Sequence, residues 1–126
     1  MKKKTLAREE IFSGKIFHVV KDVVSLHDGQ ESFRELVFHN GGTAIAPVHN
    51  NKMILVGQYR KALEKFIFEI PAGKLEKGEE KDPKAAVLRE LEEETGYLAQ
   101  DLTEITAFYG TPGFHQRKHM SISHQI

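Results

Sequence analysis

The sequence predicts a mixed domain of the α+β or α/β class, and three observations lead to this fold class. Short runs rich in β-branched and aromatic residues recur along the chain, separated by turn residues. One stretch with clear helix start and stop residues interrupts them. The 126 residues are enough to bury a core of useful size without disulfides. We therefore predict a single domain over residues 1–126.

The composition argues against several function classes. The chain contains no Cys, which excludes disulfides and cysteine–zinc sites and agrees with a reducing, cytoplasmic location. Because 18 basic residues balance 18 acidic ones, there is no general reason to expect nucleic-acid or membrane binding. No apolar run approaches the roughly 18 residues of a membrane span. Residues 1–4 are basic but precede no apolar signal core, so we expect a solvated N-terminal end.

Six segments are predicted as strands, namely residues 15–26, 31–38, 43–48, 52–59, 66–70 and 103–109. Asp28-Gly29 joins the first two as an antiparallel hairpin, since this dipeptide strongly favours a tight turn. Turn-forming His-Asn-Asn at 49–51 joins the next two. Residues 115–126 show neither strand alternation nor a convincing helical stripe, so no element is predicted there.

A helix is predicted over residues 83–95. Asp82 suits the N-cap and Pro83 the first helical position. Gly96 suits the position that ends a helix in the left-handed conformation. An apolar stripe should face the core, formed by Ala85, Leu88 and Leu91 with help from Ala86 and Val87.

Three glutamates of this helix share one face. Glu90, Glu93 and Glu94 are related by spacings of three and four residues, whereas Glu92 points elsewhere. Convergent carboxylates are what a hard divalent cation such as Mg²⁺ binds. An acidic, solvated helix face is the alternative, because Glu is also a good helix former. Spacing alone leaves both interpretations open.

The surroundings of this face read G-K-L-E-K-G-E at 73–79 and R-E-L-E-E-E-T-G-Y at 89–97, and this stretch resembles the signature of the Nudix hydrolases. That signature is a Gly, five residues, a Glu, seven residues, then R-E-U-x-E-E-x-G-U, where U is apolar. Tyr97 stands at the last apolar position, and nine residues rather than seven lie between Glu79 and Arg89. We expect this insertion to lengthen the loop without rotating the acidic face, and it leaves the placement of Glu79 open. The matching residues are Gly73, Glu79, Arg89, Glu90, Leu91, Glu93, Glu94 and Gly96.

The resemblance extends to the bacterial ADP-ribose pyrophosphatase group through residues 11–17, 57–63 and 69–76. Pro112, sixteen residues after Gly96, matches a proline marker of that group. The resemblance covers residues 5–114. It implies a Nudix-type α/β/α sandwich with a mixed sheet and an N-terminal antiparallel β-hairpin. The implied parts are N-terminal strands at 11–38, a Nudix core at 43–114 and an atypical tail at 115–126.

The same resemblance implies an activity and a metal site. It implies Mg²⁺-dependent hydrolysis, with Mn²⁺ as the alternative metal, of ADP-ribose or a related nucleoside diphosphate sugar to AMP and ribose 5-phosphate. By position, Glu90 and Glu94 are metal ligands, and the backbone carbonyl of Ala72 is a further ligand. Glu93 is a third ligand or a close neighbour with a catalytic role. Bound metal would neutralise the pyrophosphate and activate the attacking water.

Three further residues receive roles from the resemblance. Arg89 is catalytic in the sense that it orients the glutamates. Arg60 binds the diphosphate through charge-assisted hydrogen bonds, and Pro112 belongs to the substrate-binding set. The group also implies a homodimer in which the N-terminal strands pack across the interface.

The tail departs from the family pattern. The family continues after Phe114 with an acid three residues on, then a strand, a helix and a loop that supplies the catalytic base. Here Arg117 takes the acidic position, so we expect C-terminal elements to be missing, a sheet edge to be exposed and turnover to be impaired. A change of reading frame, an end imposed on a longer chain and a native end all stay open as explanations.

Alternative functions also stay open. The chain could hydrolyse other nucleotide sugars or dinucleotides, or it could be an impaired Nudix remnant that binds nucleotide or metal without efficient turnover. A rival metal site at His115, His119 and His124 is disfavoured, because nothing in the sequence indicates a helix there.

Overall fold

The computed structural model describes residues 3–114 and 118–125. These residues cluster in two compact units, one formed by residues 3–40 with 109–114 and the other by residues 41–108 with 118–125. The predicted parts at 11–38 and 43–114 differ from these units in that residues 109–114 belong to the first unit. That both units form one domain stays a prediction.

The first unit is a three-stranded antiparallel sheet formed by β1 Lys4–Ser13, β2 Phe17–Ser25 and β3 Glu31–His39. Strand β2 lies in the centre of this sheet. The predicted hairpin around Asp28-Gly29 is confirmed, because the Asp28 carboxylate accepts a hydrogen bond from the Gln30 amide at 3.0 Å. Gly29 takes the left-handed conformation, with a φ of 81°. Strand β1 was not predicted, since most of its sequence lacks the β-branched and aromatic residues used to find strands.

A buried ion pair joins β1 to β2. Arg8 lies directly opposite Asp22, and its Nε and Nη2 atoms donate to the two carboxylate oxygens at 2.7 and 2.8 Å. Asp22 is only 2% exposed and lies between the buried side chains of Val20 and Val24. Arg8 also places its guanidinium carbon 5.3 Å from the centre of the Phe38 ring. The charged Asp22 is therefore tolerated in an apolar row because its oxygens are fully paired.

The second unit contains one helix among the described residues, α1 Pro83–Thr95. Its strands are β4 Gly42–His49, β5 Lys52–Met53, β6 Val56–Arg60, β7 Lys65–Glu69, β8 Ala72–Lys74, β9 Asp101–Tyr109 and β10 Lys118–Gln125. One sheet has the order β5–β4–β10–β9, and β8 also pairs with β4, while β6 and β7 form a separate antiparallel ribbon. Strand β10 runs parallel to β4, whereas β5 and β8 run antiparallel to it, so the sheet is mixed as predicted.

The segment predicted as one strand at 52–59 forms two strands in different sheets. Asn50 and Asn51 have φ values of 49° and 58°, which is the two-residue turn that returns β5 onto β4. After the Ile54 amide donates to the Pro47 carbonyl at 2.9 Å, the chain leaves β4 and pairs with β7 instead. Composition shows a continuous β-forming run here, and only the change of hydrogen-bond partner reveals the break.

The prediction that residues 115–126 contain no strand was wrong for 118–125. Strand β10 lies between β4 and β9, with Ile122 opposite Ile45, so the sheet continues beyond β4 on this side. Its backbone pairs with β4 along the seven residues from His119 to Gln125, whereas its sequence alternates only over Met120–Ser123. Backbone pairing needs no particular side chains, so a weak pattern hid the strand. The described residues supply one helical layer of the predicted sandwich.

The core of the second unit lies between α1 and β4. Val87 and Leu91 of α1 are fully buried against Ile45, and the helix also contacts β8. The predicted apolar stripe is partly wrong, because Ala85 is exposed and Leu88 is 41% exposed. Val87 and Leu91, spaced four residues apart, form the buried row instead. No helix in the described part of the chain has the length and apolar character needed to cross a membrane.

Candidate functional site

Helix α1 has the predicted ends, and these ends determine which way its side chains face. The Asp82 carboxylate accepts a hydrogen bond from the Ala85 amide at 3.3 Å, and Pro83 opens the helix. Gly96 ends the helix with a φ of 74°, and its amide donates to the Glu92 carbonyl at 2.8 Å. With Leu91 held in the core, the acidic face is directed toward β8 and the loop that precedes the helix.

Arg89 organises the acidic residues around itself. Its Nη1 atom donates to Glu90 at 3.0 Å and to Glu93 at 3.1 Å, and Nη2 donates to both oxygens of Glu79 at 3.1 and 3.3 Å. Desolvation is the largest influence on the pKa of Arg89 and lowers it. The hydrogen bond that Arg89 donates to Glu79 and the negative charges of Glu79, Glu90 and Glu93 outweigh desolvation, so this pKa lies above its ordinary value. An orienting role of Arg89 requires contacts of this kind, and that role stays a prediction.

The loop insertion does not displace Glu79 from the site. Residues 79–81 form a 3₁₀ turn, and the Glu79 carboxylate accepts a hydrogen bond from the Glu76 amide at 2.7 Å. This backbone hydrogen bond, followed by the contact with Arg89, holds the pKa of Glu79 below its ordinary value despite some desolvation. The two additional residues are therefore taken up before the helix, as the sequence predicted.

Glu90 lies unusually close to the backbone of β8. A Cβ atom at position 73 would overlap the carboxyl group of Glu90, so only glycine leaves the space this side chain occupies. The Glu90 side chain is only 16% exposed. The first glycine of the signature thus has a local physical role, which its position in a motif could not reveal.

Glu94 faces the same strand and interacts with several charged neighbours. Its carboxylate accepts a hydrogen bond from the Ala72 amide. Although Glu94 is exposed to solvent, partial desolvation is the largest cause that raises its pKa, and the negative charges of Glu90 and Glu69 raise it further. The Ala72 hydrogen bond and the positive charge of Arg60 act in the opposite direction. A carboxylate whose pKa is raised by neighbouring negative charge is a group that a bound cation would stabilise in its charged form.

Arg60 forms an ion pair that the sequence analysis missed. Its Nε atom donates to the Glu69 carboxylate at 2.7 Å across the β6–β7 ribbon. The hydrogen bond to Glu69 is the main reason that the pKa of Arg60 is raised. Glu69 begins the segment 69–76, which carries part of the resemblance to the ADP-ribose pyrophosphatase group, but its pairing depends on the register of the ribbon. No sequence pattern specifies that register.

The structure thus gathers most of the predicted site residues in the second unit. Glu93 is turned toward Arg89 and is 59% exposed. Pro112 lies in a turn of the first unit, where the Phe114 amide donates to the Thr111 carbonyl at 3.3 Å, and its substrate-binding role stays a prediction.

Two observations concern whether side chains, without backbone or water ligands, could form a metal site. Within residues 3–114 and the described part of 118–125, no three Asp, Glu, His or Cys side chains gather as a ready cation cage. The rival site includes His115, which lies outside the described residues, and the side chains of His119 and His124 are likewise not described. The all-oxygen set formed by Glu90, Glu94 and the backbone at Ala72 fits a cation that retains several of its waters.

The fold and the site formed by Glu90, Glu94 and the backbone at Ala72 define the class of the protein. The chain belongs to the NUDIX domain family, whose model matches residues 39–125. A solved structure of an ADP compounds hydrolase has the same fold, with a TM-score of 0.89 at 24% identity, covering 99% of this chain and 68% of that one. The predicted fold class is therefore confirmed.

Two bacterial relatives are closely similar in sequence. The chain is 55% identical over 115 residues to an ADP-ribose pyrophosphatase of Bacillus subtilis (strain 168), covering 90% of this chain and 61% of that protein. It is 52% identical over 112 residues to a methanol dehydrogenase activator of Bacillus methanolicus, covering 88% of this chain and 60% of that protein. The chain thus spans about three-fifths of the length of these curated relatives.

Proposed function

We propose that this chain carries the metal and diphosphate site of a Mg²⁺-dependent hydrolase that cleaves the pyrophosphate bond of ADP-ribose or a related nucleoside diphosphate sugar. One observation carries the proposal: Glu94 lies among Ala72, Glu90 and Arg60, which brings carboxylates and a cation to one place. The name of the Bacillus subtilis relative supports the choice of substrate. In the reaction, one water adds across the phosphorus–oxygen bond, and the products are AMP and ribose 5-phosphate.

In this proposal Glu90, Glu94 and the Ala72 carbonyl would hold Mg²⁺, with Mn²⁺ as the alternative. The metal would supply charge neutralisation for the diphosphate and acidity for a water molecule. Glu93 lies next to this set as a third ligand or as a close partner held by Arg89. All the proposed donors are oxygen atoms, which is the chemistry a hard cation requires.

Arg60 and Arg89 have different parts in the proposal. Arg60 would bind phosphoryl oxygens through charge-assisted hydrogen bonds. Arg89 holds Glu79, Glu90 and Glu93 in position through four hydrogen bonds, so it acts through the carboxylates. Pro112 would belong to the substrate-binding set. The absence of Cys agrees with the cytoplasmic location that we propose for this activity.

A matched pair of variants tests the metal assignment. Glu94→Gln removes one charge at the site, whereas Glu92→Gln makes the same change outside the acidic face. We expect Glu94→Gln to lower Mg²⁺-dependent release of AMP from ADP-ribose at least about 100-fold, because a ligand and its charge are both lost. Glu92→Gln should keep the activity of the unaltered chain. Intact hydrolysis in Glu94→Gln would overturn the metal assignment.

The substrate assignment needs a panel rather than one compound. ADP-ribose, other nucleotide sugars, diadenosine polyphosphates and NAD⁺ are incubated with the 126-residue chain and Mg²⁺, and AMP release is measured. Preference for another nucleotide sugar would correct the substrate. Metal-dependent nucleotide binding without turnover would instead support the alternative of an impaired, ligand-binding Nudix chain.

A second candidate substrate class is favoured by one relative. The Bacillus methanolicus protein is named an activator of a dehydrogenase. Dehydrogenases commonly use nicotinamide dinucleotides, which contain a pyrophosphate bond of the same kind. Cleavage of NAD⁺ in preference to ADP-ribose would favour this dinucleotide hydrolase.

We also propose that the protein is a homodimer through its N-terminal strands. All ten residues of β1 are exposed, among them the apolar Leu6, Ile11 and Phe12. An exposed strand edge with apolar side chains is a natural surface for association. Light scattering on the purified chain would decide this, and a monomeric mass at micromolar concentration would contradict the proposal.

A further inference from the structure

The β6–β7 ribbon carries its aromatic side chains on one face and its charged side chains on the other. Side chains alternate along each strand, and the register places Gln58 opposite Ile67 and Val56 opposite Glu69. Arg60 and Glu69 therefore share the same face. The other face carries Tyr59, Phe66 and Phe68 over Gly57.

Arg60 reaches Glu69 only by extending along this face. Arg60 lies directly opposite Lys65, and Glu69 is four residues further along that strand. Like charges opposite one another on a sheet repel, so the ammonium group of Lys65 disfavours a conformation in which the Arg60 guanidinium lies directly across from it. Glu69 offers the compensating charge, and its carboxylate lies 2.7 Å from Nε of Arg60.

The contact occupies one part of the guanidinium group. Glu69 accepts from Nε, and within the described residues no hydrogen bond involves Nη1 or Nη2 of Arg60. A guanidinium group has five N–H donors in a rigid fork, so fixing Nε also fixes the direction of the two terminal nitrogens. Both Arg60 and Glu69 act electrostatically on Glu94, which places the pair beside the proposed metal ligands.

We propose that Glu69 is a positioning residue that holds Arg60 by Nε, so that Nη1 and Nη2 are free to bind the diphosphate of the substrate. This inference rests on the proposed function, which makes Arg60 a diphosphate ligand. Glu69 contacts Arg60 rather than the substrate, and its effect passes entirely through that guanidinium group. Without Glu69, Arg60 would sample many rotamers, and the entropy lost on ordering its side chain would weaken the binding of the diphosphate.

A double-mutant cycle tests the proposal with ADP as the probe. ADP contains the diphosphate but lacks the distal sugar, and its binding in Mg²⁺ is measured by calorimetry. We expect Glu69→Ala to weaken ADP binding about 5- to 10-fold and Arg60→Ala to weaken it at least as much, since one loses the orientation and the other the ligand. The double variant Arg60→Ala/Glu69→Ala should bind no more weakly than Arg60→Ala alone.

Conservative and control variants separate positioning from a structural role. Glu69→Gln keeps an oxygen that accepts from Nε, so it should retain part of the affinity that Glu69→Ala loses, and it replaces Glu69→Ala in the cycle if that variant does not fold. Glu64→Gln removes the charge of another short ion pair, between Lys61 and Glu64 at 2.8 Å, and should leave ADP binding unchanged. In hydrolysis, the Glu69 variants should raise KM several-fold more than they lower kcat.

The outcomes of the cycle are distinguishable from those of the proposed function. Additive losses in the double variant, an unaffected Glu69→Ala, or an unaltered chain that does not bind ADP would each overturn the positioning role. If the unaltered chain binds ADP without hydrolysing ADP-ribose, the proposed activity fails while the ADP cycle still decides the role of Glu69. If hydrolysis is intact and the losses are additive, the activity stands and the positioning role does not.

Discussion

At the residue scale, the guanidinium group of Arg89 explains how a crowded run of glutamates is accommodated. Like charges three and four residues apart repel by a few tenths of a kcal/mol per pair. Arg89 contacts Glu79, Glu90 and Glu93 simultaneously, and its positive charge offsets the repulsion between the carboxylates. Ion pairs that remain in contact with water add little to the stability of a fold. The main effect of Arg89 is therefore the placement of carboxylates rather than stability.

Gly73 gives a prediction at this same scale. In Gly73→Ala the new methyl group overlaps the end of the Glu90 side chain, which is flexible and can move aside. We expect the fold to persist, with a change in unfolding free energy within about 1 kcal/mol. Moving the Glu90 carboxylate should weaken Mg²⁺ binding about 10- to 100-fold. Isothermal calorimetry with Mg²⁺ and chemical denaturation measure the two effects.

A second glycine supplies the control for this substitution. Gly113→Ala adds the same methyl group where no atom lies within 4 Å and where φ is not in the left-handed region. It should change neither stability nor Mg²⁺ affinity appreciably. Unchanged Mg²⁺ affinity in Gly73→Ala would contradict the close approach of Glu90 to β8.

At the element scale, α1 owes its position to one row of side chains. Val87 and Leu91 pack on Ile45, while Leu88, one residue along, remains partly in solvent. The helix caps determine where α1 begins and ends, but burial determines its rotation about its own axis. That rotation directs Glu90 and Glu94 toward β8, so core packing and site geometry are coupled.

Two leucine variants test this rotation. Leu91→Ala should lower the free energy of unfolding by about 2–5 kcal/mol, because it leaves a cavity where no solvent reaches. Leu88→Ala removes the same atoms from a side chain that is 41% exposed, and it should cost less than about 1.5 kcal/mol. Denaturant unfolding compares them directly. Equal costs would indicate that the helix faces the core as the sequence alone predicted.

At the scale of the whole molecule, formal charge is balanced at pH 7, and ion pairs whose carboxyl group has a lowered pKa contribute stability that acid removes. Asp22 is the clearest case. The hydrogen bond from Arg8 is the main cause that lowers its pKa, while desolvation opposes it. A carboxyl group whose pKa is lowered by folding stabilises the folded state above its unfolded pKa of about 3.9. This stabilisation is lost as the pH falls through the lower pKa that Asp22 has in the folded state.

The variant Asp22→Asn tests this pH dependence. We expect a lower unfolding midpoint than in the unaltered chain at pH 7, since the variant lacks the charge that Arg8 requires. The difference should shrink as the pH falls below about 4, where the unfolded chain takes up a proton at Asp22 while the folded chain does so only at lower pH. Glu31→Gln, at an exposed position of β3, should show neither effect. A constant difference between Asp22→Asn and the unaltered chain across this range would contradict the assignment.

Local features were predictable from the sequence, and the helix illustrates why. Asp82, Pro83 and Gly96 act on backbone groups within four residues of themselves, so their roles follow from spacing. The same holds for the Asp28-Gly29 turn and for the shared face of Glu90, Glu93 and Glu94. Strand β10 and the break between β5 and β6 were not predictable, because each depends on which distant strand supplies the backbone partner.

By itself, the sequence determined the helix, its caps, the hairpin and the acidic face, since interactions over three or four residues suffice to specify them. It also determined the family, because the signature residues occupy one contiguous stretch. Only the tertiary structure decided that Arg60 pairs with Glu69, that Glu90 requires a glycine at position 73 and that β10 lies beside β4. Those contacts depend on strand register and on the rotation of α1 about its axis. Packing between distant segments settles both, and no local pattern encodes it.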